Sequence, residues 1–312
     1  MKMKKILTII GPTASGKTSL AVYLSKKLNA EIIGLDSRQL YRGMPIGTAQ
    51  PTNKEMGGVK HHLIGFQDPS DPISAGQYAK LITDKVKNIQ ANGKNPIICG
   101  GAGLYYRAIS RGIFKGSVSD PINRDRLEKL YDNNPSELLD HLNAIDPEYA
   151  ELVHINNKKR LVRALEIFEA TGKAPSEHFH DQKSNPTTEL DLFTVKIKWK
   201  RNILNERIQN RADEMLDQGW IEEVETLLKQ QDREKKLYTA LNSIGYSQIQ
   251  SYLRNKMSYE DMREDIIIKT RQFARRQVKW FAKEPIDLAL EMDNLVTKEI
   301  LQILHCLFQV II

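Results

Sequence analysis

Gly11-Pro12-Thr13-Ala14-Ser15-Gly16-Lys17-Thr18 is the stretch from which the fold of this chain can be read. It fits the spacing G-x-x-x-x-G-K-[ST] and is flanked as that motif requires, by a strand and a helix. Before it, residues 6–10 form a short, wholly apolar run that predicts a buried strand. After it, Leu20, Ala21, Leu24 and Leu28 recur at helical spacing. Glycines let backbone N–H groups close around phosphate oxygens, and the helix N-terminus adds about half a positive charge. Lys17 supplies a full charge, and Thr18 offers a hydroxyl to Mg²⁺. The loop is therefore expected to hold a phosphate ester, either a triphosphate or a simple diphosphate.

Outward from the loop, residues 31–35 predict a second strand ending at Asp36. Residues 62–66 predict a third, and residues 97–99, bounded by Pro96 and Gly100, another. Residues 75–91 predict a helix between them. Strands alternating with helices imply an α/β fold, a parallel sheet flanked by helices. Beyond Lys115 the pattern changes to helices without a strand: 124–131, 135–142 and 160–171, the last closed by Gly172. Residues 181–191 are polar and read as a linker. Residues 193–199 alternate like a strand returning to the sheet, and helices follow at 203–218, 221–229, 247–255 and 259–283. The expected organisation is a core of residues 1–117, a helical insertion of residues 118–192, and completion of the core by residues 193–312.

Composition bounds the function. The 312 residues are 40% hydrophobic and 27% charged, which excludes disordered and disulfide-scaffold classes. Two cysteines, Cys99 and Cys306, cannot build a zinc framework and read as free thiols of a reducing compartment. No apolar run reaches the roughly 18 residues of a membrane span. The first run stops at Gly11-Pro12 without a cleavage site. The run 301–312 is also too short, so a cytoplasmic protein is expected. Lys plus Arg number 46 against 39 Asp plus Glu, a net +7 that permits a polyanionic partner.

That charge is clustered. Between Lys269 and Lys283 lie six basic residues and no acid, and Arg271, Arg275 and Lys279 share one helical face. A second cluster, Lys158, Lys159, Arg160 and Arg163, opens a helix of the middle segment. Two separated clusters fit a nucleic-acid backbone better than a small metabolite. Asp36 falls at the carboxyl edge of the sheet, where open α/β folds place ligands. It could accept a proton, bind Mg²⁺ through water, or cap a turn. His61 and His62 point to opposite faces of a strand and read as a packed pair rather than a metal site. Gly100-Gly101-Ala102-Gly103 implies either a close backbone approach or a tight turn.

Taken together, these motifs resemble the tRNA dimethylallyltransferase family. The resemblance rests on the phosphate loop, Asp36-Ser37-Arg38-Gln39-Leu40-Tyr41-Arg42-Gly43-Met44 and Ile46-Gly47-Thr48-Ala49. It also rests on His61-His62-Leu63, Gly100-Gly101-x-Gly103-Leu104-Tyr105, Lys159-Arg160-Leu161-x-Arg163-Ala164-Leu165-Glu166 and Thr270-Arg271-Gln272-x-Ala274-Arg275-Arg276-Gln277. They span nearly the whole chain in the family's order. The resemblance implies transfer of a dimethylallyl group from its diphosphate to N6 of adenosine 37, beside the tRNA anticodon. It implies a phosphate-loop core with a helical insertion clamping the anticodon stem-loop, in a monomer using Mg²⁺. Asp36 would be the general base, Ser37, Arg38 and Gln39 would contact the target nucleotide, and Lys17 would stabilise the leaving diphosphate. Arg207, or Arg211 one turn on, would help hold the diphosphate. Lys159, Arg160, Arg163, Arg271, Arg275 and Lys279 would bind tRNA.

Two departures stand out. Ala102 replaces the family's threonine or serine, whose hydroxyl reaches the diphosphate, and residues 114–120 lack the usual prolines. Three rival readings share parts of these motifs: an isopentenyltransferase acting on free adenine nucleotides, a phosphate-loop small-molecule kinase, and a non-enzymatic RNA-binding module.

Overall fold

The computed structural model describes residues 5–112, 120–184, 190–292, 302 and 304–305. The chain divides into two compact units, one of Met1–Ser110 with Glu189–Ile312 and a second of Arg111–Thr188.

The first unit is built on a six-stranded parallel sheet. Its strands are β1 (Ile6–Ile10), β2 (Ala30–Leu35), β3 (His61–His62), β4 (Asn95–Gly100), β5 (Leu192–Lys198) and β6 (Leu288–Glu291). Their spatial order is β3-β2-β4-β1-β5-β6. β1 lies between β4 and β5, Ile9 opposite Cys99 on one side and Val195 on the other. Both faces of β1 are covered, so all five of its residues are buried and it reads as an unbroken apolar run. Ile6 and Ile10 face one core, with Tyr78, Tyr106, Tyr246 and Phe281. Leu7 and Ile9 face the other, with Leu20, Ala21 and Leu24 of α1 (Lys17–Leu28).

Three details of the sheet differ from the sequence reading. β3 stops at His62, because Leu63 and Gly65 take positive φ of 60° and 58° and turn the chain out of the ladder. Pro96 lies inside β4 rather than before it, with the Asn95 N–H donating to Asn29 O at 3.1 Å. β6 is short and half-exposed, so it carries little periodic signal.

The remaining helices of this unit are α2 (Asn53–Met56), α3 (Ala75–Ala91) and α4 (Gly103–Arg111), then α10 (Arg201–Asp217), α11 (Trp220–Glu234), α12 (Tyr246–Leu253) and α13 (Tyr259–Phe281). α13 is a single 23-residue helix; Ser258 caps it by accepting from the Asp261 N–H at 3.1 Å.

The second unit is helical: α5 (Pro121–Asn133), α6 (Pro135–Ile145), α7 (Pro147–Ala150), α8 (Lys158–Thr171) and α9 (Pro175–Ser184). Proline opens α5, α6 and α7, where its missing N–H costs nothing. Leu127, Leu138, Leu142, Leu161 and Leu165 form its core. Gly172 ends α8 in the left-handed conformation at φ 69°. Glu166 is fully buried among Arg124 Nη2, Arg163 Nη1 and the Asp120 N–H, at 2.7, 2.7 and 3.2 Å. The expected linker 181–191 begins as helix, since α9 runs to Ser184, and residues 185–189 lie outside the described residues. Leu192, expected to close the insertion, already pairs with Ile6 of β1. Residues 113–119, Cys306 and most of the run 301–312 also lie outside the described residues.

Candidate active site

The phosphate loop leaves β1 and enters α1 with two left-handed residues, Ala14 at φ 61° and Gly16 at φ 84°. Such a conformation is unfavourable for alanine and persists where its surroundings over-determine it. Three distant side chains do so here. Arg207 Nε donates to Ala14 O at 2.8 Å, Trp199 Nε1 donates to Ser15 O at 3.0 Å, and Gln277 Oε1 accepts from the Thr13 N–H at 2.9 Å. Gln277 is buried, and its Nε2 also donates to Gly101 O at 2.9 Å.

Lys17 Nζ donates to Pro12 O at 2.6 Å and lies 3.4 Å from Ser15 Oγ. Burial lowers the pKa of its ammonium group to about 8, although nearby Cys99 and Asp36 oppose the shift. Burial pushes the Cys99 thiol up to about 12, which keeps it protonated and unreactive.

The loop floors a cleft of about 650 Å³ within the first unit. Asp36 to Gln39 line one part of it, Arg207 and Arg211 another, and Thr270, Phe273 and Gln277 of α13 a third. Asp36 Oδ1 accepts from the Arg38 N–H at 2.8 Å and the Gln39 N–H at 3.3 Å, an Asx turn that fixes the carboxylate. Ser37 is half-buried and Arg38 exposed, whereas Gln39 commits its amide to Ala49 O at 2.7 Å. Arg207 stacks over Trp199, 4.6 Å from the ring centroid. Burial lowers the pKa of Arg211, against the attraction of Glu55 and Asp36. Both arginines proposed from the sequence thus reach the same cleft.

A positive-φ loop closed by a lysine and two arginines is suited to a diphosphate. The donor set also fits magnesium in its usual form, one hydroxyl from Thr18 supplemented by phosphate oxygens and water. No group of three or more His, Cys, Asp or Glu that could cage a metal occurs among the described residues.

Sequence reasoning gives no role to Trp199, Glu223 or Gln277, although Gln277 ends one of the motifs quoted above. Glu223 accepts from the Ile46 N–H at 2.7 Å, the Gly47 N–H at 3.0 Å and Tyr246 Oη at 2.6 Å. It thereby ties the loop through Ile46 and Gly47 to α11 and α12. Burial raises its pKa despite these bonds. A Cβ at Gly47 would collide with the Trp220 indole, so the glycine is a signal that was visible without its partner. The Gly100–Gly103 run resolves as close backbone approach. Added Cβ atoms would strike Leu35 backbone at Gly100, Gln277 at Gly101 and the Trp280 ring at Gly103. Ala102 is half-buried against the core, and its carbonyl accepts the Tyr106 N–H at 2.9 Å.

The basic residues divide by what they already bond. Arg275 and Lys279 are exposed on α13, but Arg271 is half-buried and donates to Gln209 Oε1 at 3.0 Å and Asn205 O at 3.4 Å. Its position on α13 faces α10, so the three do not share one open face. In the second unit Lys159 and Arg160 are exposed, while Lys158 pairs with Asp132 and Arg163 with Glu166. His62 bonds Glu31 at 2.6 Å and His61 bonds Val59 O at 2.9 Å, a hydrogen-bonded pair at the sheet edge. No helix among the described residues is long and apolar enough to cross a membrane.

Comparison with known proteins gives one consistent answer. The family model described as IPP transferase matches residues 39–284. A tRNA dimethylallyltransferase of Bacillus velezensis is 40% identical over 285 residues, covering 90% of this chain and 89% of its own. One from Bacillus subtilis is 36% identical over 304 residues, covering 94% and 95%. The solved full-length tRNA isopentenylpyrophosphate transferase of Bacillus halodurans superposes with TM-score 0.72 at 33% identity, over 99% of this chain and 96% of that one. A eukaryotic dimethylallyltransferase solved while acting on tRNA superposes with TM-score 0.78 at 30% identity, over 92% and 74%.

Proposed function

The chain belongs to the IPP transferase family, and on that premise we propose that it is a tRNA dimethylallyltransferase. It transfers the dimethylallyl group of dimethylallyl diphosphate to N6 of adenosine 37 in the tRNA anticodon loop and releases diphosphate. The observation that carries this reading is the shared cleft, with a phosphate loop, Asp36 and two arginines on its walls. Backbone amides from Ala14 to Thr18, with Lys17, Arg207 and Arg211, hold the diphosphate; Pro12 has no N–H to offer, and that of Thr13 is taken by Gln277. Mg²⁺, held by the Thr18 hydroxyl, would neutralise part of the charge on the departing group.

At the allylic carbon the C–O bond breaks as the N–C bond forms, and the electron pair leaves on the diphosphate oxygen. Such a loose displacement needs positioning and fixed charge more than covalent help. The exocyclic amine of adenine is a weak nucleophile because its lone pair is delocalised into the ring. Asp36 accepts its proton, through the carboxylate oxygen that the Asx turn leaves unused. The adenine leaves its stack to reach this carboxylate, at a cost of a few kcal/mol. Arg275 and Lys279 on α13, with Lys159 and Arg160 in the insertion, bind the tRNA backbone. On this reading the protein works in the cytoplasm, as a monomer.

The test is direct. The purified protein is incubated with Mg²⁺, dimethylallyl diphosphate and unmodified tRNA carrying adenosine 37, with AMP as a parallel acceptor. The RNA is digested and N6-dimethylallyl-adenosine sought by mass spectrometry. Product on tRNA alone is expected. Product on AMP would transfer the assignment to enzymes of free nucleotides, and bound tRNA without product would leave an RNA-binding module.

A further inference from the structure

α13 presents a partly exposed aromatic ring to the cleft. Phe273 is 36% exposed and lies on the cleft wall, flanked on the same helix by Thr270 and Gln277. The other large aromatics on that wall, Trp220 and Tyr246, are buried; they pack edge to face at 5.8 Å, and Tyr246 bonds Glu223. The remaining exposed aromatics among the described residues, Phe66, Phe179 and Tyr259, do not line the cleft. Phe273 belongs to no core cluster. Exposing a phenyl ring costs hydrophobic free energy that a ligand would recover by covering it.

The surroundings specify that ligand. The Arg276 guanidinium lies over one face of the Phe273 ring, 6.0 Å from its centroid, and Arg275 and Lys279 are exposed on the same helix. Cations beside an accessible π-face form the arrangement that binds unpaired nucleic acid, phosphates to the charges and a base to the ring. The apolar dimethylallyl group has no use for the surrounding cations, and a diphosphate would not seek an apolar surface. A base lifted out of its stack does both, because it loses stacking energy that another π-surface can return.

We propose that Phe273 is a stacking platform for an unpaired base of the anticodon loop, either the acceptor adenine or its neighbour. The inference rests on the tRNA-modifying reading above and deepens it. Stacking returns part of the unstacking cost, so Phe273 sets acceptor affinity while the diphosphate site is untouched.

The experiment compares the native protein with Phe273→Leu, Phe273→Ala and Phe273→Trp. Each is assayed with an anticodon stem-loop RNA, and binding is followed by 2-aminopurine placed at and beside the acceptor position. Loss of one stacked base should weaken RNA binding about tenfold or more. The expected pattern is that loss in Leu and Ala, near-native behaviour in Trp, and aminopurine quenching present only with an aromatic residue. The dependence of binding on salt should keep its slope in every variant, because no phosphate contact is removed. The KM for dimethylallyl diphosphate and the melting temperature should also stay near native. Leucine matching phenylalanine would overturn the proposal, since apolar area would then suffice, as would aminopurine quenching that survives in Phe273→Ala. A native protein that fails to bind or modify the RNA would instead remove the tRNA reading itself.

Discussion

Raising the pH should strip the phosphate loop of its lysine charge within a range that ordinary buffers cover. The Lys17 ammonium faces a carbonyl and a hydroxyl but no carboxylate within bonding distance, and burial lowers its pKa from 10.5 to about 8. A bound diphosphate requires the charged form. Above pH 8 the protein must take up a proton to bind it, so affinity falls roughly tenfold for each pH unit beyond that point. A non-hydrolysable dimethylallyl diphosphate analogue, titrated calorimetrically between pH 7 and 10, should show the decline. Repeating the pH 9 titration in buffers of different ionisation enthalpy should report uptake of about one proton. The Lys17→Arg variant stays charged throughout, and its residual affinity should be flat over the same range. Stability should move the opposite way. The unfolded chain holds more protons than the folded one between pH 8 and 10.5, so ligand-free stability rises with pH across that window, by at most about 3 kcal/mol. Affinity unchanged to pH 10, or an arginine variant with the same decline, would refute the assignment of this charge to Lys17.

Other expectations concern how the site is held. Gln277→Leu strands the Thr13 N–H and the Gly101 carbonyl at a cost of about 2–4 kcal/mol. Its thermal midpoint and diphosphate affinity should both drop, and a midpoint within about 2 °C of native would show that the loop stands without it. Glu166→Ala removes the buried carboxylate that Arg124 and Arg163 bond; both arginine side chains are partly exposed, so the cost should be about 1–3 kcal/mol. Hydrogen exchange should show protection lost through α5, α6 and α8 while the parallel sheet keeps it. Burial raises the pKa of Glu166, but its arginine bonds outweigh this and leave it low. Its contribution is therefore present above the usual carboxylate range and is lost as pH falls below it. Ala102→Thr places a hydroxyl at the N-cap of α4, where it should stabilise by about 1 kcal/mol. If the hydroxyl also reaches the diphosphate, turnover rises about tenfold or more. Greater stability with unchanged turnover would restrict position 102 to capping.

What was legible in the chain follows from how far each signal reaches. Ile6–Ile10 is apolar because β1 is covered on both faces, and that requirement shows in five consecutive letters. The sequence bounds α3 at Ala75 and Ala91, as the structure does, its face marked by Tyr78, Ile82, Val86 and Ile89. The sequence overextends β3 because Leu63 and Gly65 turn the chain within a run, 62–66, that is otherwise apolar enough for a strand. β6 carries no periodic signal because all four residues of Leu288–Glu291 pair with β5 but only Leu290 is buried.

In the candidate site the glycines and Lys17 are marked by motif spacing, whereas Asp36 is only placed at a strand end by the sequence and takes its expected role from the family resemblance. Arg271 shows the limit of that reasoning. Helical spacing puts it in line with Arg275 and Lys279, yet α10 lies against it and takes its guanidinium. The sequence by itself determined the phosphate loop, the parallel sheet and the family, because each is written in residues close along the chain. Only the tertiary structure decided which side chains hold the loops of the site. Gln277 meets Thr13 across 264 positions, and Glu223 meets Ile46 across 177. Such pairs leave no periodic trace, since they arise when separately specified helices are packed onto one sheet and buried polar groups must find partners.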